Sequence, residues 1–403
     1  MESKHNEKSG LKKSFVMGKM KCKAPTCFRV ILLPIKSICK LVNVLKLDVW
    51  VINGEEISSK QKLSIIYAGK KENRYFLIKS AFDSSYRENY IGKTWLWKIL
   101  STVKKKGYDG SLMVIEVPRP FCIFFDKKTC FHIPCWVCGE IDISADISAL
   151  IKKNRSFKSD RNKIQKNKLN FEVTNDPQQF HTFYHEMYVP HVNKAHANRA
   201  VITDYDSMKK EFKNCDLLLI NKEKECVAGM LLAYPKNAAR FWSLGVKDGN
   251  SDYIKDGAIG ALIYFSIHYL KGKGYKKVDF GLSRAFLNDG ALQFKKKRSM
   301  QLVNKSKVGF QIMPLSKTAG VKGFFLNNPF IYMDKMKFNG AVFVETDQSF
   351  SKEDFEKIYK EYYLKGMSRL ILYRFGEVAS RTPEMVPTEF NDKMTICSAE
   401  RLF

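Results

Sequence analysis

The chain has 403 residues and a formal net charge of +28, from 69 Lys and Arg against 41 Asp and Glu. Hydrophobic residues make up 45% of it, which provides a sizeable core and excludes a disordered protein. The length suits two ordinary domains. The basic excess favours polyanionic partners, namely nucleic acid, an anionic membrane face or phosphorylated ligands, although a solvated lysine-rich surface gives the same balance.

The N-terminal region is cationic, and residues 1–25 are predicted to be a flexible basic tail. Phe28–Leu47 is apolar but interrupted by lysines and by Pro34. This favours a buried strand or helix over a segment that lies on an anionic membrane surface. We see no secretory signal and no apolar run of about 20 residues, so we expect a cytoplasmic protein with reduced cysteines and no transmembrane span.

Residues 26–145 are predicted to form a strand-rich N-terminal half. The predicted strands are Leu47–Ile52, Leu63–Ala68, Tyr75–Ile78 and Leu112–Val117. Asn53-Gly54 is a hairpin-type turn signal after the first of them. Trp95–Lys105 is predicted to be a helix that ends at Gly107.

Four cysteines lie close together at the end of this half, at Cys122, Cys130, Cys135 and Cys138. A zinc site of this kind needs a second paired knuckle, which the chain lacks. Phe121–Phe125 and Phe131–Val137 are therefore predicted to form a hairpin with inward-facing cysteines, and we predict no metal site.

The second half, residues 146–318, begins with helices and continues as a meander of strands. Asp176 is the predicted cap of the second helix, with Pro177 in its first turn. The predicted helices are Ile147–Asn167, which is strongly cationic, Pro177–Tyr188, Asp206–Phe212 and Ala258–Leu270. The predicted strands are Leu217–Ile220, Val227–Tyr234, Arg240–Val246, Lys277–Leu282 and Val308–Met313.

The most informative segment is Tyr253–Met300, because it combines a buried helix, a short strand and a basic helix. Asp279 lies near the end of the strand, Gly281 opens its backbone, and the four cations Lys295–Arg298 follow. Together these features indicate a site for a phosphate-bearing ligand. Asp-Phe-Gly also spells a protein-kinase motif, but the chain lacks the companion Gly-rich loop, His-Arg-Asp and Ala-Pro-Glu.

This segment resembles the C-terminal half of the GNAT-fold acyltransferases of the FemAB type, including related acetyltransferases of polysaccharide clusters. These proteins carry a helix, a strand ending Asp-Phe-Gly-x-Ser, and then Gly-x-x-x-Phe-Lys. The matching residues are Asp279, Phe280, Gly281, Ser283, Gly290, Phe294 and Lys295. The resemblance runs from about Ile151 to about Pro314. It departs from the family at Arg298-Ser299, where an aromatic residue followed by glycine is usual.

The resemblance implies an α/β (α+β) fold of two GNAT-like halves, with mixed, mostly antiparallel sheets flanked by helices. Residues 319–403 would then be a C-terminal extension with a helix at Asp354–Tyr363 and a strand at Arg369–Tyr373. It further implies an enzyme that moves an acyl group from acyl-CoA to the amine of an amino sugar or amino acid-type acceptor. Acyl-CoA is then a co-substrate, and no permanently bound cofactor is expected.

Acyl transfer to an amine needs a held thioester, a stabilised carbonyl oxygen and a route for the proton. Trp242–Val246 is the candidate strand that separates from its neighbour, and the helix start at Gly257 is the candidate pyrophosphate site. Asp256 counts against that helix start, because a carboxylate N-cap competes for the same amides. The predicted donor-binding residues are Leu244, Gly245, Val246, Gly257, Ala258 and Arg284.

The predicted catalytic residues are Asp279 and Lys295. Asp279 either orients or deprotonates the amine, or only caps the end of its strand. Lys295 matches the family lysine that faces the acyl or phosphate oxygens, whereas Lys296–Arg298 fits a solvated face. The predicted acceptor-binding residues are Tyr188, His191, His196, Arg199, Ser283 and Phe294. His181 and His185 share one helix face but lack the His-Glu-x-x-His order, so no metal is predicted there.

Two alternatives stay open. A FemAB-like enzyme could take aminoacyl-tRNA as donor, which the basic helix and the +28 charge favour. A nucleic-acid-binding protein without catalysis would use the same cations to track phosphates. The second alternative gives no reason for the arrangement of Asp279, Gly281 and Lys295.

Overall fold

The computed structural model describes residues 45–403, apart from 127, 147, 150, 151, 153, 197–201, 236–237, 347–348 and 377–385. It divides into two compact units. The first unit holds the described residues up to Val137 together with 284–292 and 304–403, and the second holds 138–283 and 293–303. The predictions for residues 1–25 and for most of Phe28–Leu47 lie outside the described residues.

The strands in the described ranges are β1 (Lys46–Glu56), β2 (Lys62–Ala68), β3 (Phe82–Trp95), β4 (Leu112–Pro118), β5 (Phe131–Pro134), β6 (Val137–Asp142), β7 (Leu169–Thr174), β8 (Cys215–Lys222), β9 (Glu225–Ala233), β10 (Ala239–Val246), β11 (Lys277–Ser283), β12 (Gln301–Val303), β13 (Val308–Pro314), β14 (Phe330–Asp334), β15 (Lys337–Glu345), β16 (Met367–Phe375) and β17 (Met394–Ser398). The α-helices are α1 (Lys71–Ala81), α2 (Ile99–Lys105), α3 (Arg155–Lys166), α4 (Pro177–Thr182), α5 (Val189–His196), α6 (Tyr205–Phe212), α7 (Ser251–Asp256), α8 (Ala258–Gly272), α9 (Gly290–Lys296), α10 (Ala319–Asn327) and α11 (Lys352–Tyr362). A π-helical turn, Phe183–Tyr188, joins α4 to α5, and 3-10 turns lie at Leu96–Lys98, Arg119–Phe124, Lys247–Gly249, Thr388–Phe390 and Ala399–Leu402.

The second unit is built on a seven-stranded sheet in the order β12-β6-β11-β10-β9-β8-β7. Strands β7 to β10 pair antiparallel with their neighbours, whereas β10 and β11 pair parallel. The parallel pair requires a crossover, which α7 and α8 provide. The predicted order of helices, meander, helix and strand is confirmed.

Helix α8 is buried on several sides, as its nearly uninterrupted apolar sequence predicts. It packs against α3, and an added Cβ at Gly260 would lie 2.3 Å from Asp160 Oδ1. Because glycine has no side chain, the two helices can approach closely there. On α3 the buried residues are Phe157, Asp160 and Ile164, and the remaining face carries the cations.

An aromatic cluster covers one face of the meander. Phe180 and Phe212 stack with ring centroids 4.5 Å apart, and both are buried with Phe183. Asp176 caps the helix that carries Phe180, accepting from the Gln178 amide at 3.1 Å, as predicted. This cluster fixes the π-helical turn over β10.

The first unit contains two sheets. One has six strands in the order β3-β1-β2-β4-β13-β5, and the other has four in the order β14-β15-β16-β17. Phe131 on β5 packs edge to face against Phe330 and Phe343, which belong to the four-stranded sheet. The helix and strand predicted in 319–403 are confirmed as α11 and β16.

Three local predictions are wrong. Tyr75–Ile78 lies inside α1, where Leu77, Ile78 and Ala81 are buried at helical spacing. The hairpin around the cysteines does not form, because Arg119–Phe124 is a 3-10 turn and β5 and β6 belong to different sheets. Val308–Met313 is a strand, but it pairs with β4 and β5 in the six-stranded sheet and does not complete the second half.

The fold is therefore a mixed α/β structure of mixed sheets flanked by helices, which confirms the predicted class. Over the described stretches of chain, no helix combines the length and apolar character that crossing a membrane requires.

Candidate active site

The parallel junction between β10 and β11 is short. Ala239 pairs with Val278 and Arg240 with Asp279, and among the described residues these two pairs alone join the strands. Both strands continue well beyond these pairs. The paired ladder therefore ends at Arg240 and Asp279, just before Trp242–Val246, the stretch that the sequence predicted to separate.

The carboxylate of Asp279 lies at this branch point and is 5% exposed. Its Oδ1 accepts from the Gly281 amide at 2.8 Å and from the Cys138 thiol at 3.3 Å. Its Oδ2 accepts from Arg240 Nε at 3.2 Å and from Arg240 Nη2 at 2.9 Å. Burial by itself raises the pKa of Asp279, but the hydrogen bonds from Gly281 and Arg240 outweigh it and hold the pKa below its ordinary value. Such a carboxylate accepts a proton poorly, so the geometry favours an orienting role over a deprotonating one.

Lys295 reaches the same opening from α9. Its Nζ donates to the Leu282 carbonyl of β11 at 2.7 Å and lies 3.8 Å from the place where a Cβ at Gly281 would stand. Gly281 has a φ of +76°, a left-handed conformation that favours glycine. The bare backbone at Gly281 thus leaves room for the lysine ammonium beside the separated end of β11.

The surroundings of the opening differ from one side to the other. The Phe241 and Phe280 rings pack edge to face with centroids 5.1 Å apart, and so close the face opposite to Asp279. Arg240 and Trp242 instead line a cleft of about 940 Å³ at the end of the sheet. The aromatic pair therefore closes one face beside the branch point, and the cleft, which Arg240 and Trp242 line, lies at the paired end of the junction.

The predicted donor-binding residues on β10 lie past the branch point. Leu244 is half-buried, whereas Gly245 and Val246 are buried. A Cβ added at Gly245 would stand 2.4 Å from the Met187 carbonyl carbon. Gly245 is therefore required for the close approach of the π-helical turn to β10.

The predicted pyrophosphate site at Gly257 and Ala258 is covered by α3. A Cβ at Gly257 would lie 2.8 Å from Lys163 Cβ, and Gly257 itself has a φ of +103°. The expectation that Asp256 caps this helix is wrong. Asp256 is the last residue of α7 and pairs with Lys222 at 2.8 Å, while Gly257 occupies the N-cap position of α8. The binding role given to Gly257 and Ala258 stays a prediction.

Arg284 follows β11 directly but is part of the first unit. Its Nη1 donates to Asn73 Oδ1 at 2.7 Å, and its guanidinium lies 3.8 Å from the Trp136 ring centroid and 4.4 Å from that of Phe76. Burial lowers the pKa of Arg284. The structure thus places Arg284 among first-unit side chains, and its contact with a donor stays a prediction.

Two of the predicted acceptor-binding residues are buried. Tyr188 is 5% exposed, and its hydroxyl accepts from the Thr203 amide at 3.2 Å, which gives it a packing role in the aromatic cluster. Ser283 is 2% exposed, and its Oγ has no hydrogen-bond partner in the part of the chain that the structure describes. Buried hydroxyls rarely lack a hydrogen-bond partner, and a ligand or water atom at the end of β11 can supply one for Ser283.

The other four predicted acceptor-binding residues are half-buried or lie wholly or partly outside the described residues. Phe294 is half-buried beneath the Arg298 guanidinium, 3.9 Å from the ring centroid. His191 is half-buried on α5. The side chain of His196 and the whole of Arg199 lie outside the described residues, so their roles stay predictions.

Arg298 does not belong to a solvated face, which corrects that expectation. It is 7% exposed, and its Nη2 donates to both carboxylate oxygens of Asp160, at 2.9 and 3.1 Å. Ser299 has a φ of +61°, the left-handed conformation in which a glycine carries no penalty. Its Oγ accepts from Asn154 Nδ2 at 2.7 Å, which helps to hold this unfavourable conformation. Arg298 and Ser299, where the sequence departs from the expected motif, thus hold α3 and its N-cap residue Asn154.

The sequence predicted no metal at the cysteine and histidine clusters. In the ranges that the structure covers, no group of three or more His, Cys, Asp and Glu could hold an ion. Burial raises the pKa of Cys122 to about 11 and lowers that of its neighbour His132 to about 4, so both are neutral near pH 7. The His181 and His185 rings contact each other at a centroid distance of 4.4 Å, and His181 contacts the Tyr205 hydroxyl.

Sequence reasoning missed Arg240 as a site residue. Its partner Asp279 lies 39 residues further along the chain, and only the register of β10 and β11 brings them together. The sequence signal that could have identified Arg240 was a cation at the start of the predicted strand Arg240–Val246. Trp242 was treated as part of the strand alone, although it stands at a register shift between Phe241 and Ser243.

Comparison with known proteins adds structural likenesses only. No protein-family model and no curated protein matches the chain. L-PGS from Bacillus licheniformis has 13% sequence identity and a TM-score of 0.34, and the match covers 71% of this chain and 90% of that one. FemX has 12% identity and a TM-score of 0.34, covering 66% and 84%. A GCN5-related N-acetyltransferase from Kribbella flavida has 9% identity and a TM-score of 0.27, covering 70% and 59%. These low scores carry no statement about activity.

Proposed function

We propose that this protein is an N-acyltransferase that moves an acyl group from a thioester donor, acyl-CoA, to the amine of an amino sugar or amino acid-type acceptor. The observation that carries the proposal is the opening between β10 and β11, with Asp279 at its branch point and Lys295 at its edge. A separated strand edge offers backbone N–H and C=O groups to an extended ligand, as an added strand would use them. The amide groups in the arm of acyl-CoA can hydrogen-bond to such an edge.

The chemistry requires one bond to form and one to break. The amine nitrogen attacks the thioester carbonyl carbon, the C–N bond forms, and the C–S bond breaks to release the thiolate. Lys295 supplies a cation that stabilises negative charge on the carbonyl oxygen. The proton lost by the amine goes to the departing thiolate, since the lowered pKa of Asp279 makes that carboxylate a weak base. Asp279 instead holds Arg240 in place.

A second candidate donor is aminoacyl-tRNA. Helix α3 buries Phe157, Asp160 and Ile164 and exposes a row of cations on its other side. The exposed cations are Arg155, Lys158, Arg161, Lys163 and Lys166. A helix face of this kind suits a phosphate backbone, and this observation keeps the tRNA-dependent reaction as the alternative.

The decisive experiment offers the purified protein acetyl-CoA or aminoacyl-tRNA, with glucosamine or glucosamine 6-phosphate as acceptor, and measures product formation from each donor. Lys295→Ala is expected to lower turnover by about 100-fold or more, because a donor to the developing charge is lost. The variant should keep its circular dichroism spectrum, since the Lys295 ammonium binds the Leu282 carbonyl at an exposed position and lies outside the buried core.

Lys297→Ala is the matched control, because Lys297 is an exposed residue of the same cationic run. It should leave turnover unchanged. Equal turnover in Lys295→Ala and wild type removes Lys295 from the site. No transfer from either donor, together with tight and steeply salt-dependent binding of RNA or DNA, favours a non-catalytic nucleic-acid-binding protein.

A further inference from the structure

The cleft beside the branch point lies entirely in the second unit. It has a volume of about 940 Å³ and is bounded by the start of β8, the end of β9, the start of β10 and the end of α8. The side chains that matter for its chemistry are Lys213, Asp216, Tyr234, Arg240, Trp242 and Lys273. Its size falls within the range of ligand sites.

One wall of the cleft is a prearranged polar cluster. Asp216 is 9% exposed and accepts from Tyr234 at 2.5 Å, from Tyr269 at 2.7 Å and from Lys273 at 2.6 Å. Burial raises the pKa of Asp216, but the hydrogen bonds from Lys273 and the two tyrosines outweigh it and keep the pKa low. Asp216 and Lys273 therefore neutralise each other, and this wall carries no net charge.

Arg240 and Trp242 line the cleft as well. Arg240 binds Asp279 through Nε and Nη2, the side edge of its guanidinium, and 42% of the side chain stays exposed. The other edge of the guanidinium is therefore directed away from Asp279. Such an edge can pair with carboxylate and phosphate oxygens. Trp242 stands at a register shift of β10, an irregularity that turns a side chain out of the regular alternation. Trp242 thus adds an aromatic surface next to a fixed cation.

The rim of the cleft adds one charge of each sign. Glu211 and Lys213 are both exposed there and balance each other. Arg240 is paired with Asp279 just as Lys273 is with Asp216, so what Arg240 offers an incoming ligand is the free donor edge of its guanidinium beside the branch point. A ligand that fits must therefore offer an oxyanion to Arg240 and a ring or chain to Trp242.

We infer that this cleft binds the acceptor, and that the acceptor is an amine that also carries a carboxylate or phosphate group, which Arg240 recognises. Calling the ligand an acceptor rests on the proposed acyl transfer. Binding of the ligand in the cleft does not depend on catalysis. Arg240 is then a specificity-determining residue. Asp279 acts as a positioning residue, since it holds the guanidinium through two hydrogen bonds.

The test measures binding by calorimetry without any thioester donor. The probes are glucosamine 6-phosphate, 2-amino-2-deoxyglucuronic acid and glucosamine, which has the same amine but no anionic group, so that phosphate and carboxylate are distinguished. At least one anionic probe should bind about tenfold or more tightly than glucosamine, as a charge-assisted bidentate contact implies. Arg240→Gln should remove this preference and leave glucosamine binding within about twofold. Arg369→Gln, an exposed arginine of the first unit, is the matched control and should change nothing.

Lys213→Gln provides a second variant that does not disturb Asp279, because Lys213 is exposed at the rim. It should weaken the anionic probes several-fold while the protein stays folded. Equal affinity for all three probes, no measurable binding of either anionic probe, or an anion preference that survives Arg240→Gln would overturn the inference. Anion-dependent binding without transfer from any thioester or tRNA donor would uphold the cleft and reject the acyltransferase. Acyl transfer that shows no preference for amines with an anionic group would uphold the acyltransferase and reject the inference about the cleft.

Discussion

The six-stranded and the seven-stranded sheet each contain a parallel junction, and the two junctions differ. In the first unit β2 and β4 stay paired from Ile65 and Leu112 to Ala68 and Ile115, and all of these residues are buried. In the second unit the ladder between β10 and β11 ends once Arg240 has met Asp279. The same arrangement of strands thus gives a closed core in one sheet and an opening in the other.

Each junction also has a buried carboxylate beside it, and the partners of these carboxylates explain the difference. Glu116, 5% exposed, follows the last paired residue of β4 and accepts from the Tyr67 hydroxyl and the Lys70 amide, groups of the neighbouring strand and its extension. Asp279 also accepts from the local Gly281 amide, but its other oxygen binds Arg240, a long cationic side chain that lines a cleft. The two carboxylates thus differ in their cationic partner: Glu116 accepts from neutral groups of its own junction, whereas Asp279 holds an arginine.

Asp279→Asn should have the largest effect on stability. The asparagine keeps the shape but loses the charge that faces Arg240, so the free energy of unfolding should fall by about 2 kcal/mol at pH 7. This is below the value for a fully buried pair, because Arg240 is 42% exposed and its charge is partly screened by solvent. Urea denaturation of both proteins measures the difference.

The same pair of proteins gives a pH prediction. The folded-state pKa of Asp279 is lowered, so its ionised form adds stability that is complete above the unfolded-state pKa and is lost as pH falls through the folded-state pKa. The gap in stability between wild type and Asp279→Asn should therefore shrink below about pH 4. A gap that stays constant between about pH 3 and 7 would contradict the ionised assignment.

Gly281→Ala tests whether the left-handed residue keeps the junction open. Alanine at a φ of +76° should cost about 1–2 kcal/mol, and the new methyl group would stand against the Lys295 ammonium. Turnover should fall along with stability. Gly272→Ala is the control, since Gly272 is helical and a Cβ there meets no atom within 4 Å. If both variants unfold at the same urea concentration as wild type, Gly281 imposes no special conformation.

Glu116→Gln should have the smallest effect on stability. It tests the closed junction between β2 and β4. The amide can still accept from Tyr67 and Lys70, although less strongly, so about 1 kcal/mol of stability should be lost. Turnover measured on the folded protein should stay within about twofold of wild type. A large loss of turnover without loss of stability would show that the β2–β4 junction also takes part in the reaction.

Much of the second unit could be predicted because its elements have clear local patterns. The meander β8–β10 follows from alternating apolar residues and polar turns, and α4 from the cap Asp176 with Pro177. The first unit was harder to predict. Tyr75–Ile78 is a short apolar run, which periodicity alone cannot assign to strand or helix.

The site shows the same division. Asp279, Gly281 and Lys295 could be found together because they are close in sequence and share a motif. Arg240 and the cleft could not, since their positions depend on which strands pair and where the pairing stops. Arg298 was taken as a surface cation because its partner Asp160 lies on a helix 138 residues earlier.

By itself, the sequence determined the class of fold, the order of helices and strands in the second unit, and the glycine-opened strand that carries Asp279. These follow from periodicity, capping and backbone preference, which act over a few residues. Only the tertiary structure decided that β13 joins the six-stranded sheet, that Arg298 is buried, and that Arg240 meets Asp279 where two strands part. Such contacts join distant segments, and their choice depends on the packing of the whole unit, which no local pattern records.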